Sequence, residues 1–399
     1  MIESDKPAAA EASRPTGEMT VYVVPEGQRV SVGAPSLVAL PNGKLLAAFD
    51  QSGPDVKGLS GKKGQDVRRG RWVQGRVMMS SDAGATWTLS ATYPFRDASL
   101  FRDGGDLYVL GELSGGLCLM RSPDGGGSWS APIDLSNDLP VVCSPTTVVP
   151  CGDWWHVPCL VPAGSDRAGL VVWRAARGAS LMNRKAWTAG PVSPPLADWV
   201  PSEPGACGVP WPGATPKWRH PRMIPEVDGD HPWHVGGQLQ LLSPAGCGRE
   251  HWAVRVGVAE DGRMAPQMLE GDTPWLWMPL PGGHAKFDLI RDETTGRYWV
   301  AGSRGQTHLA VGRAAGHEKG RHRLGVWSSA NLAEWTLVAE PVQGGEGPGG
   351  IRCDPSLAIV GGDLVLVYRA GGPQSRRARE TSQVLCSRVE QFRNLLGGR

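Results

Sequence analysis

The chain has 399 residues, and 40% of them are hydrophobic, which is enough to bury a sizeable core. Its formal net charge is +2 and it has no long run of lysine and arginine, so neither a nucleic acid nor a membrane surface is expected as a partner. The 55 glycines and 34 prolines indicate many short elements joined by tight turns, which is typical of an all-β protein.

The N-terminal 19 residues are charged or small and lack an apolar stretch, so residues 1–19 are predicted to form a flexible N-terminus before one folded domain at 20–395. No later window is long and apolar enough to span a bilayer, and the chain is expected to be soluble. It would be cytoplasmic as it stands, or periplasmic or secreted if a signal peptide has been removed. The eight cysteines have no spacing typical of metal ligands, so neither a metal nor another cofactor is predicted.

Pairs of short strands around glycine-containing turns recur from residue 34 onwards. Apolar β-formers on both sides of each turn are typical of paired antiparallel strands. Six such pairs cover residues 34–50, 97–112, 144–159, 236–257, 285–303 and 354–370.

A second motif lies between these pairs. Residues 80–87, SSDAGATW, and residues 122–129, SPDGGGSW, share serine, aspartate, glycine and tryptophan at identical spacing, and partial copies occupy 180–187 and 328–335. The aspartate can accept backbone N–H groups inside a turn, the glycine permits a positive φ, and the tryptophan can pack between sheets. The motif therefore predicts a structural hairpin and not a catalytic group.

An inner strand pair followed by an outer hairpin makes a four-stranded antiparallel blade, and six such units predict a six-bladed β-propeller. The proline-rich segment at about 190–233 lacks periodicity and is predicted to be a long insertion on one face. A strand within residues 382–396 is expected to complete the blade begun by the N-terminal strand and so to close the ring.

The repeated motif resembles the Asp-box, or bacterial neuraminidase repeat, of the sialidase superfamily. Together with the strand pairs at 34–50 and 354–370, it makes the chain similar to the sialidase-like proteins of bacterial glycan degradation. The resemblance implies a carbohydrate-active enzyme, a glycoside hydrolase that removes a terminal acidic sugar, sialic acid or uronic acid, from oligosaccharides. The resemblance thus implies an acidic oligosaccharide or polysaccharide as the partner.

Sialidases bind the substrate carboxylate with three arginines, and use a tyrosine paired with a glutamate as nucleophile and an aspartate as general acid. Here the resemblance implies Arg255, Arg304 and Arg369 as candidates for the arginine triad, with Arg29 nearest to the first arginine of the family. Tyr368 is the candidate nucleophile, although its neighbour Arg369 must point to the opposite side of a regular strand.

In a propeller, a ligand meets residues at the starts of the inner strands and at the ends of the second strands. This geometry, with the long loop before residue 234, predicts two groups of functional residues. The predicted catalytic residues are Asp97, His284, Lys286, Asp288, Asp354 and Tyr368. The predicted substrate-binding residues are Arg29, His156, His220, Arg222, His234, Gln238, Arg255, Arg304, Arg352 and Arg369.

The stretch PGGHAKFDLI, residues 281–290, is the most suggestive of chemistry. On a regular strand His284, Lys286 and Asp288 share one face, which would place a base, a cation and a carboxylate together. The alternative is a solvated outer face, which the sequence leaves open.

Two other functions compete with hydrolysis. A lyase or dehydratase acting on uronic acids by β-elimination would use His284 or His220 as base and Lys286 with arginines as electrophilic cations. A non-catalytic glycan-binding propeller would instead stack sugars on tryptophans in proline-rich loops. These are Trp211, Trp218, Trp233, Trp275 and Trp277.

Overall fold

The computed structural model of the protein describes most of the chain. The described residues are 16–136, 139–144, 148–164, 167–200, 215–224, 229–230, 234–236, 238–244, 251–269, 273–305, 321–345, 347 and 349–396.

The described part of the chain is all-β, as predicted. The strands of its N-terminal half are β1 (Thr16–Val23), β2 (Ser31–Ala39), β3 (Leu45–Ser52), β4 (Gly64–Asp66), β5 (Arg71–Ser80), β6 (Thr88–Tyr93), β7 (Arg96–Asp103), β8 (Asp106–Leu113), β9 (Gly116–Ser122), β10 (Ile133–Asp134), β11 (Val149–Cys151), β12 (Trp154–Pro162), β13 (Ala168–Ala176) and β14 (Trp187–Ala189). The later strands are β15 (Arg222–Ile224), β16 (Gln238–Pro244), β17 (Trp252–Ala259), β18 (Met264–Ala265), β19 (Gln267–Leu269), β20 (Thr273–Trp275), β21 (Trp277–Pro279), β22 (Asp288–Arg291), β23 (Tyr298–Ser303), β24 (Arg323–Ser329), β25 (Thr336–Gln343), β26 (Arg352–Val360), β27 (Asp363–Ala370) and β28 (Gln383–Val389). The helices among these residues are short 3₁₀ turns at Pro54–Gly58, Arg184–Ala186, Leu196–Asp198, Ala378–Glu380 and Phe392–Leu396.

The strands form six antiparallel blades, which confirms the six-bladed propeller. Blades 2, 3 and 5 are the four-stranded sheets β7 to β10, β11 to β14 and β22 to β25. Blade 1 holds β2, β3 and β5, with β4 and β6 both paired to β5, and blade 4 holds β15 to β18 with β21 paired to β17. In blade 6, β26, β27 and β28 come from the C-terminal end of the chain, and β1 pairs with β28 as the outermost strand.

The first strands of the six blades surround a common axis. Residues at or beside β2, β7, β11, β15, β22 and β26 line one cavity of about 610 Å³, and this identifies them as the inner strands. Six hydrophobic clusters fill the spaces between neighbouring blades, one for each pair. Phe101 of blade 2, for example, contacts Trp155 of blade 3 with ring centroids 5.0 Å apart. Apolar burial between blades therefore holds the inner strands in fixed positions around the axis.

The repeated motif forms the predicted structural turn. In residues 80–87, the Asp82 carboxylate accepts hydrogen bonds from the Thr86 N–H (2.9 Å) and from the Ser80 hydroxyl (2.8 Å), and Gly84 has a φ of 96°. The second copy repeats these contacts around Asp124. Both turns join the third strand of a blade to its outermost strand, so they lie far from the axis.

The N-terminal strand begins at Thr16, four residues before the predicted domain boundary, and residues 1–15 lie outside the described part. The proline-rich segment also differs from its prediction. It reaches into blade 4, because Arg222–Ile224, within residues 190–233, is the inner strand of that blade. The pair at 236–257 therefore supplies the second and third strands of blade 4. A three-residue strand preceded by a proline is too short for its alternation to be recognised.

Candidate functional site

All inner strands begin at one face of the propeller, which we call the upper face. Because neighbouring strands are antiparallel, the second strands end and the third strands begin at this face too. Register shifts mark β-bulges at the starts of β2, β7 and β26. At each bulge, and just before β15, a non-glycine residue has a positive φ. These residues are Ala34 (52°), Asp97 (49°), His220 (41°) and Asp354 (56°).

A bulge can re-aim a side chain, and a positive φ is costly for residues other than glycine unless the surroundings enforce it. Four blades thus have a strained backbone residue at equivalent positions around the axis. Aspartate tolerates the left-handed region better than most residues, which suits Asp97 and Asp354 to this role. Non-glycine strain of this kind is concentrated at binding and catalytic sites.

Five charged or titratable residues from four blades meet at the upper end of the channel. Although these residues are far apart in sequence, each interacts electrostatically with others in the group. We call this group the mouth cluster. It consists of Asp97, His220, Lys286, Asp354 and Arg369.

Asp354 is the ionised carboxylate of the mouth cluster. Arg369 Nε donates a charge-assisted hydrogen bond to Asp354 Oδ2 (2.7 Å), and Arg369 Nη2 forms an ion pair with the same oxygen (2.6 Å). Burial alone would raise the pKa of Asp354, but the positive charges of Arg369, Arg321 and Lys286 outweigh burial and hold the pKa below its ordinary value. Asp354 therefore carries a negative charge throughout the physiological pH range.

Asp97 and Asp50 form a second carboxyl pair, on neighbouring blades. The Asp97 backbone N–H donates to the Asp50 carboxylate, and the Asp97 side chain pairs with Arg96. Burial and the nearby charge of Asp97 raise the pKa of Asp50 well above its ordinary value. The Asp97 side chain is 19% exposed, whereas Asp50 is buried behind it, so Asp97 is the member of this pair that a ligand can reach.

Glu112 extends this pair sideways along the upper face. Arg96 Nε lies 3.5 Å from Glu112 Oε2, and Arg69 Nη1 lies 3.1 Å from Glu112 Oε1. Burial opposes the charge of Arg96, but the carboxylates of Asp97, Glu112 and Asp50 together raise its pKa. Arg96 therefore stays charged and fixes the orientation of Asp97.

Lys286 reaches across the channel. It is 2% exposed, and its Nζ donates to the Pro35 carbonyl of blade 1 at 3.0 Å, although it precedes the inner strand of blade 5. Burial lowers the pKa of Lys286 to about 8, and the carboxylates of Asp354 and Asp288 oppose part of that decrease. Lys286 is thus a cation at neutral pH that loses its proton more readily than an ordinary lysine.

His220 lies at the edge of the mouth cluster. Its Nδ1 is 2.9 Å from the Ser144 hydroxyl, and the residue as a whole is exposed. The surrounding protein desolvates the ring and lowers its pKa to about 4, despite the opposing charges of Asp354 and Asp97. His220 is therefore neutral at neutral pH and can accept a proton.

Asp288 and Arg222 hold the inner strands together. Asp288 Oδ2 accepts from the Leu357 N–H (2.7 Å) and from the Ser356 hydroxyl (3.2 Å), both on blade 6. Its other oxygen lies 2.9 Å from Arg222 Nη1 of blade 4. Both oxygens are thus occupied by neighbouring blades, so the contacts of Asp288 are those of a structural link and not of a free acid.

Tyr368 and Arg352 were predicted in the site, but both bind the same residue, Glu18, elsewhere in blade 6. Tyr368 is fully buried, and its hydroxyl donates to Glu18 (2.7 Å) and lies 2.8 Å from Ser387 Oγ. Glu18 also binds Arg352, whose Nε donates to it at 2.6 Å. Burial strongly raises the pKa of Tyr368, which makes it a poor nucleophile. The neighbours Tyr368 and Arg369 do point to opposite sides of β27.

His284 does not share a strand face with Lys286 and Asp288, contrary to the prediction. It lies in a turn before β22, where its Nδ1 accepts from the His251 N–H at 3.2 Å. Gly282 makes this turn possible: it has a φ of 73°, and an added Cβ would lie 2.8 Å from the Gly302 Cα. The regular alternation assumed for residues 284–288 is therefore broken.

Two arginines of the expected triad lie away from the mouth cluster. Arg255 belongs to the third strand of blade 4, where it binds Gln240 and stacks on Trp275 with its guanidinium carbon 4.6 Å from the ring centroid. Burial lowers its pKa to about 10. Arg304 pairs with Glu340 of the outermost strand of blade 5. Only Arg369 of the three contributes to the mouth cluster.

The remaining predicted residues lie outside the mouth. Arg29 is 74% exposed and binds Asp55 at 2.8 Å. His156 lies near the start of a second strand, hence towards the lower face, and burial lowers its pKa to about 4. His234 is exposed before β16, which also starts at the lower face, and the side chain of Gln238 lies outside the described residues. Their placement follows from the strand assignments in blades 3 and 4.

Arginines before the third strands were missed by the sequence analysis. Arg69, Arg167 and Arg321 precede the third strands of blades 1, 3 and 5, and so lie on the upper face. The repeat itself contains the signal, because an arginine occurs at this position in three units. The prediction had considered only first and second strands.

The tryptophans expected to stack on sugars are largely internal. Trp218 and Trp277 are 3% and 4% exposed, and Trp275 stacks on Arg255. Trp211 and Trp233 lie outside the described residues. Where the structure describes the chain, it has no cluster of histidine, cysteine or carboxylate residues able to hold a metal ion. No helix in that same part has the length and hydrophobicity needed to cross a bilayer.

Comparisons with known proteins place the fold. A scan against protein-family models gives no match, and neither does a search of curated proteins. Among solved structures, the Trypanosoma rangeli sialidase in complex with sialic acid matches with a TM-score of 0.53 and 12% identity, over 97% of this chain and 59% of that one. This chain thus spans about three-fifths of the sialidase.

Two shorter proteins match along nearly their whole length. The α-L-arabinanase of Penicillium chrysogenum, complexed with arabinobiose, has a TM-score of 0.54 and 15% identity over 94% of this chain and 98% of its own. A Dyadobacter fermentans protein of unknown function has a TM-score of 0.58 and 14% identity over 94% and 99%. The chain therefore has the sialidase-like six-bladed β-propeller fold, which glycoside hydrolases such as these sialidase and arabinanase structures share.

Proposed function

We propose that the protein is a glycoside hydrolase that cleaves an acidic sugar from an oligosaccharide at the mouth cluster. The observation that carries the proposal is the pair Asp97 and Asp354. They come from blades 2 and 6, occupy equivalent bulges with left-handed backbones, and act electrostatically on the same residues, Lys286 and His220. Hydrolysis of a glycosidic bond typically needs two carboxyl groups on either side of the bond.

The two carboxyl groups suit different tasks. Asp97 is partly exposed and stands in front of Asp50, which takes up a proton more readily than an ordinary aspartate, so this pair can supply a proton to the leaving oxygen. Asp354 stays ionised, because Arg369 forms a hydrogen bond and an ion pair with it and Arg321 and Lys286 add positive charge nearby, and it can stabilise the positive charge that develops on the sugar ring. As the bond between the anomeric carbon and the leaving oxygen breaks, that oxygen keeps the proton from the Asp97–Asp50 pair; water adds its hydroxyl to the anomeric carbon, and its remaining proton returns to the same pair.

The acidic character of the substrate is proposed from the cations of the mouth. Lys286 is charged at neutral pH, and Arg321 lies close enough to lower the pKa of Asp354. A carboxylate on the sugar would find both cations beside the reacting bond. Arg369 acts as a positioning residue, since its Nε and Nη2 face Asp354 and its Nη1 donates to the Ala378 carbonyl at 2.9 Å.

One observation also favours elimination. His220 is neutral at neutral pH, so it can accept the proton next to a uronic acid carboxylate, and the positive charge of Lys286 can stabilise the enolate that forms. The products distinguish the two reactions, because elimination leaves an unsaturated sugar.

The test is turnover of sialylated, uronate and neutral oligosaccharides by the wild-type protein and by Asp97→Asn and Asp354→Asn. Asparagine keeps the side-chain shape and tolerates the left-handed backbone. The matched control is Asp55→Asn, which removes a carboxylate from the outer rim. We expect cleavage of an acidic substrate, a loss of about a hundred-fold or more in both mouth variants and an unchanged control. Binding of an oligosaccharide without any product would contradict the hydrolase and support a non-catalytic, glycan-binding propeller.

A further inference from the structure

A second cavity lies beside the mouth cluster, between blades 3 and 4. Its volume is about 650 Å³, within the range of small-molecule sites. Five of its lining residues are basic, and no carboxylate lines it among the residues that the structure describes. The basic residues are Arg69, Arg167, Lys217, Arg219 and His220.

The cavity shares one residue with the mouth cluster and is linked to it by side-chain contacts at a second point. His220 lines the cavity and also acts electrostatically on Asp354. On the other side, Arg69 reaches Glu112 at 3.1 Å, and Glu112 neighbours Arg96, the partner of Asp97. A chain molecule with one unit at Asp97 can therefore extend directly into the cavity.

Arg219 is the cation of this cavity best placed for a ligand. Its side chain is exposed and forms no ion pair with the described residues, whereas Arg69 pairs with Asp66 and Arg167 with Asp198. The backbone is nevertheless rigid. Ser243 Oγ accepts from the Arg219 N–H (3.1 Å) and donates to its carbonyl (2.7 Å).

The neighbours of Arg219 fix it further. Trp218 is buried and donates from Nε1 to the Pro194 carbonyl at 3.2 Å. On the other side His220 bonds to Ser144. The exposed guanidinium can present paired N–H donors to an anion, and because the backbone is anchored, binding has to order only the side chain.

We propose that this cavity is a second subsite that binds a further negatively charged unit of the substrate, a carboxylate or sulfate on the next sugars of the chain. The proposal rests on the proposed function and narrows it: the substrate is a polyanionic saccharide with at least two charged units, and not a simple acidic glycoside. Arg219 is the specificity-determining residue of the subsite, and Arg167, which also lines the cavity, is a supporting cation.

The test measures binding in the Asp97→Asn background, so that turnover does not consume the ligand. The probes are di- and hexasaccharides from pectin, alginate and hyaluronan, with cellohexaose as the neutral comparison. The variants are Arg219→Gln and Arg167→Gln. The matched control is Arg263→Gln, which removes an exposed arginine of blade 4 at the turn after β17, on the lower face.

We expect Arg219→Gln to weaken binding of at least one charged hexasaccharide about ten-fold, and binding of the matching disaccharide less than two-fold. In a protein that keeps the native Asp97, Arg219→Gln should raise KM for the long substrate and leave kcat unchanged. Arg263→Gln should bind like the parent, and all variants should melt at the same temperature. Equal losses for both lengths, an equal loss in the control, or no loss with any probe would overturn the subsite.

Failure of the subsite and failure of the proposed function give different results. If no glycosidic bond is cleaved but length-dependent binding through Arg219 persists, the subsite stands and the hydrolase assignment fails. If an acidic substrate is cleaved and Arg219→Gln changes neither KM nor binding, the hydrolase stands and the subsite is wrong.

Discussion

Replacing Asp288 with asparagine separates structural from catalytic carboxylates. In the folded protein Asp288 accepts hydrogen bonds from the Leu357 N–H (2.7 Å) and the Ser356 hydroxyl (3.2 Å), and it pairs with Arg222 at 2.9 Å. Asparagine keeps the size of the side chain but turns one acceptor oxygen into a donor. One of the donors on blade 6 then loses its acceptor, and the largely buried side chain of Arg222 loses its ion pair with Asp288.

The structure supports an estimate of the cost. Removing one partner of a buried ion pair costs about 3–5 kcal/mol. For 399 residues, an unfolding entropy of about 2.1 cal/mol/K per residue amounts to about 0.8 kcal/mol/K. Asp288→Asn should therefore lower the melting temperature by about 4–6 °C.

The comparison variant is Asp97→Asn, whose side chain is partly exposed. It should melt within about 2 °C of the wild-type protein. It should also lose about a hundred-fold or more in turnover, because a general acid contributes that much. Thermal denaturation at one scan rate and turnover at a temperature well below melting measure both effects. An Asp288→Asn protein that melts normally but is as inactive as Asp97→Asn would refute the structural assignment and make Asp288 catalytic.

Three further predictions concern other parts of the molecule. Asp82→Asn should retain full turnover. Hydrogen bonds from Thr86 and Ser80 lower the pKa of Asp82 to about 2, so the stability that its carboxylate contributes is present above about pH 4 and is lost as the pH falls towards 2. Acid denaturation of the wild-type protein and of Asp82→Asn measures this difference. Between about pH 8 and 10.5, Lys286 binds fewer protons in the folded protein than in the unfolded chain, so the free energy of unfolding of the wild-type protein should rise with pH relative to that of Lys286→Met. Urea denaturation at several pH values measures both free energies, and parallel pH profiles would count against a buried Lys286. The Cys143 and Cys159 sulfurs are buried and lie 3.6 Å apart, and this contact together with burial raises the pKa of Cys143. Neither thiol should therefore react with a maleimide before the protein unfolds. Mass spectrometry that detects labelling of either cysteine in the native protein would contradict this prediction.

The fold could be predicted from the sequence because its signals are local and repeated. Gly84 and Asp82 define one turn, and the same spacing returns at residues 122–129, so the hairpins and the number of blades follow from the repeat. The inner strand of blade 4 could not be found in this way. It has three residues, follows Pro221 and lies in a proline-rich segment, where alternation is too short to be seen.

The site could be predicted only where the repeat fixes a position. Asp97 and Asp354 stand at the same place in their units, and the structure places both near the start of an inner strand, as the repeat predicts. Tyr368 and Arg255 were misplaced, because their burial depends on which side of the strand faces the neighbouring blade and on the strand order within blade 4. Lys286 lies in the mouth although the regular strand used to predict it does not exist, since the turn at Gly282 resets the alternation.

The most direct test of the central claim is product analysis in water labelled with ¹⁸O. Wild-type protein is incubated with the acidic oligosaccharides, and the products are analysed by mass spectrometry, with Asp97→Asn and Asp354→Asn in parallel. A hydrolase at the mouth cluster predicts one ¹⁸O atom in the new reducing end for each bond cleaved, and almost none with either variant. An unsaturated product without ¹⁸O, or labelled product formed equally well by both variants, would contradict this account.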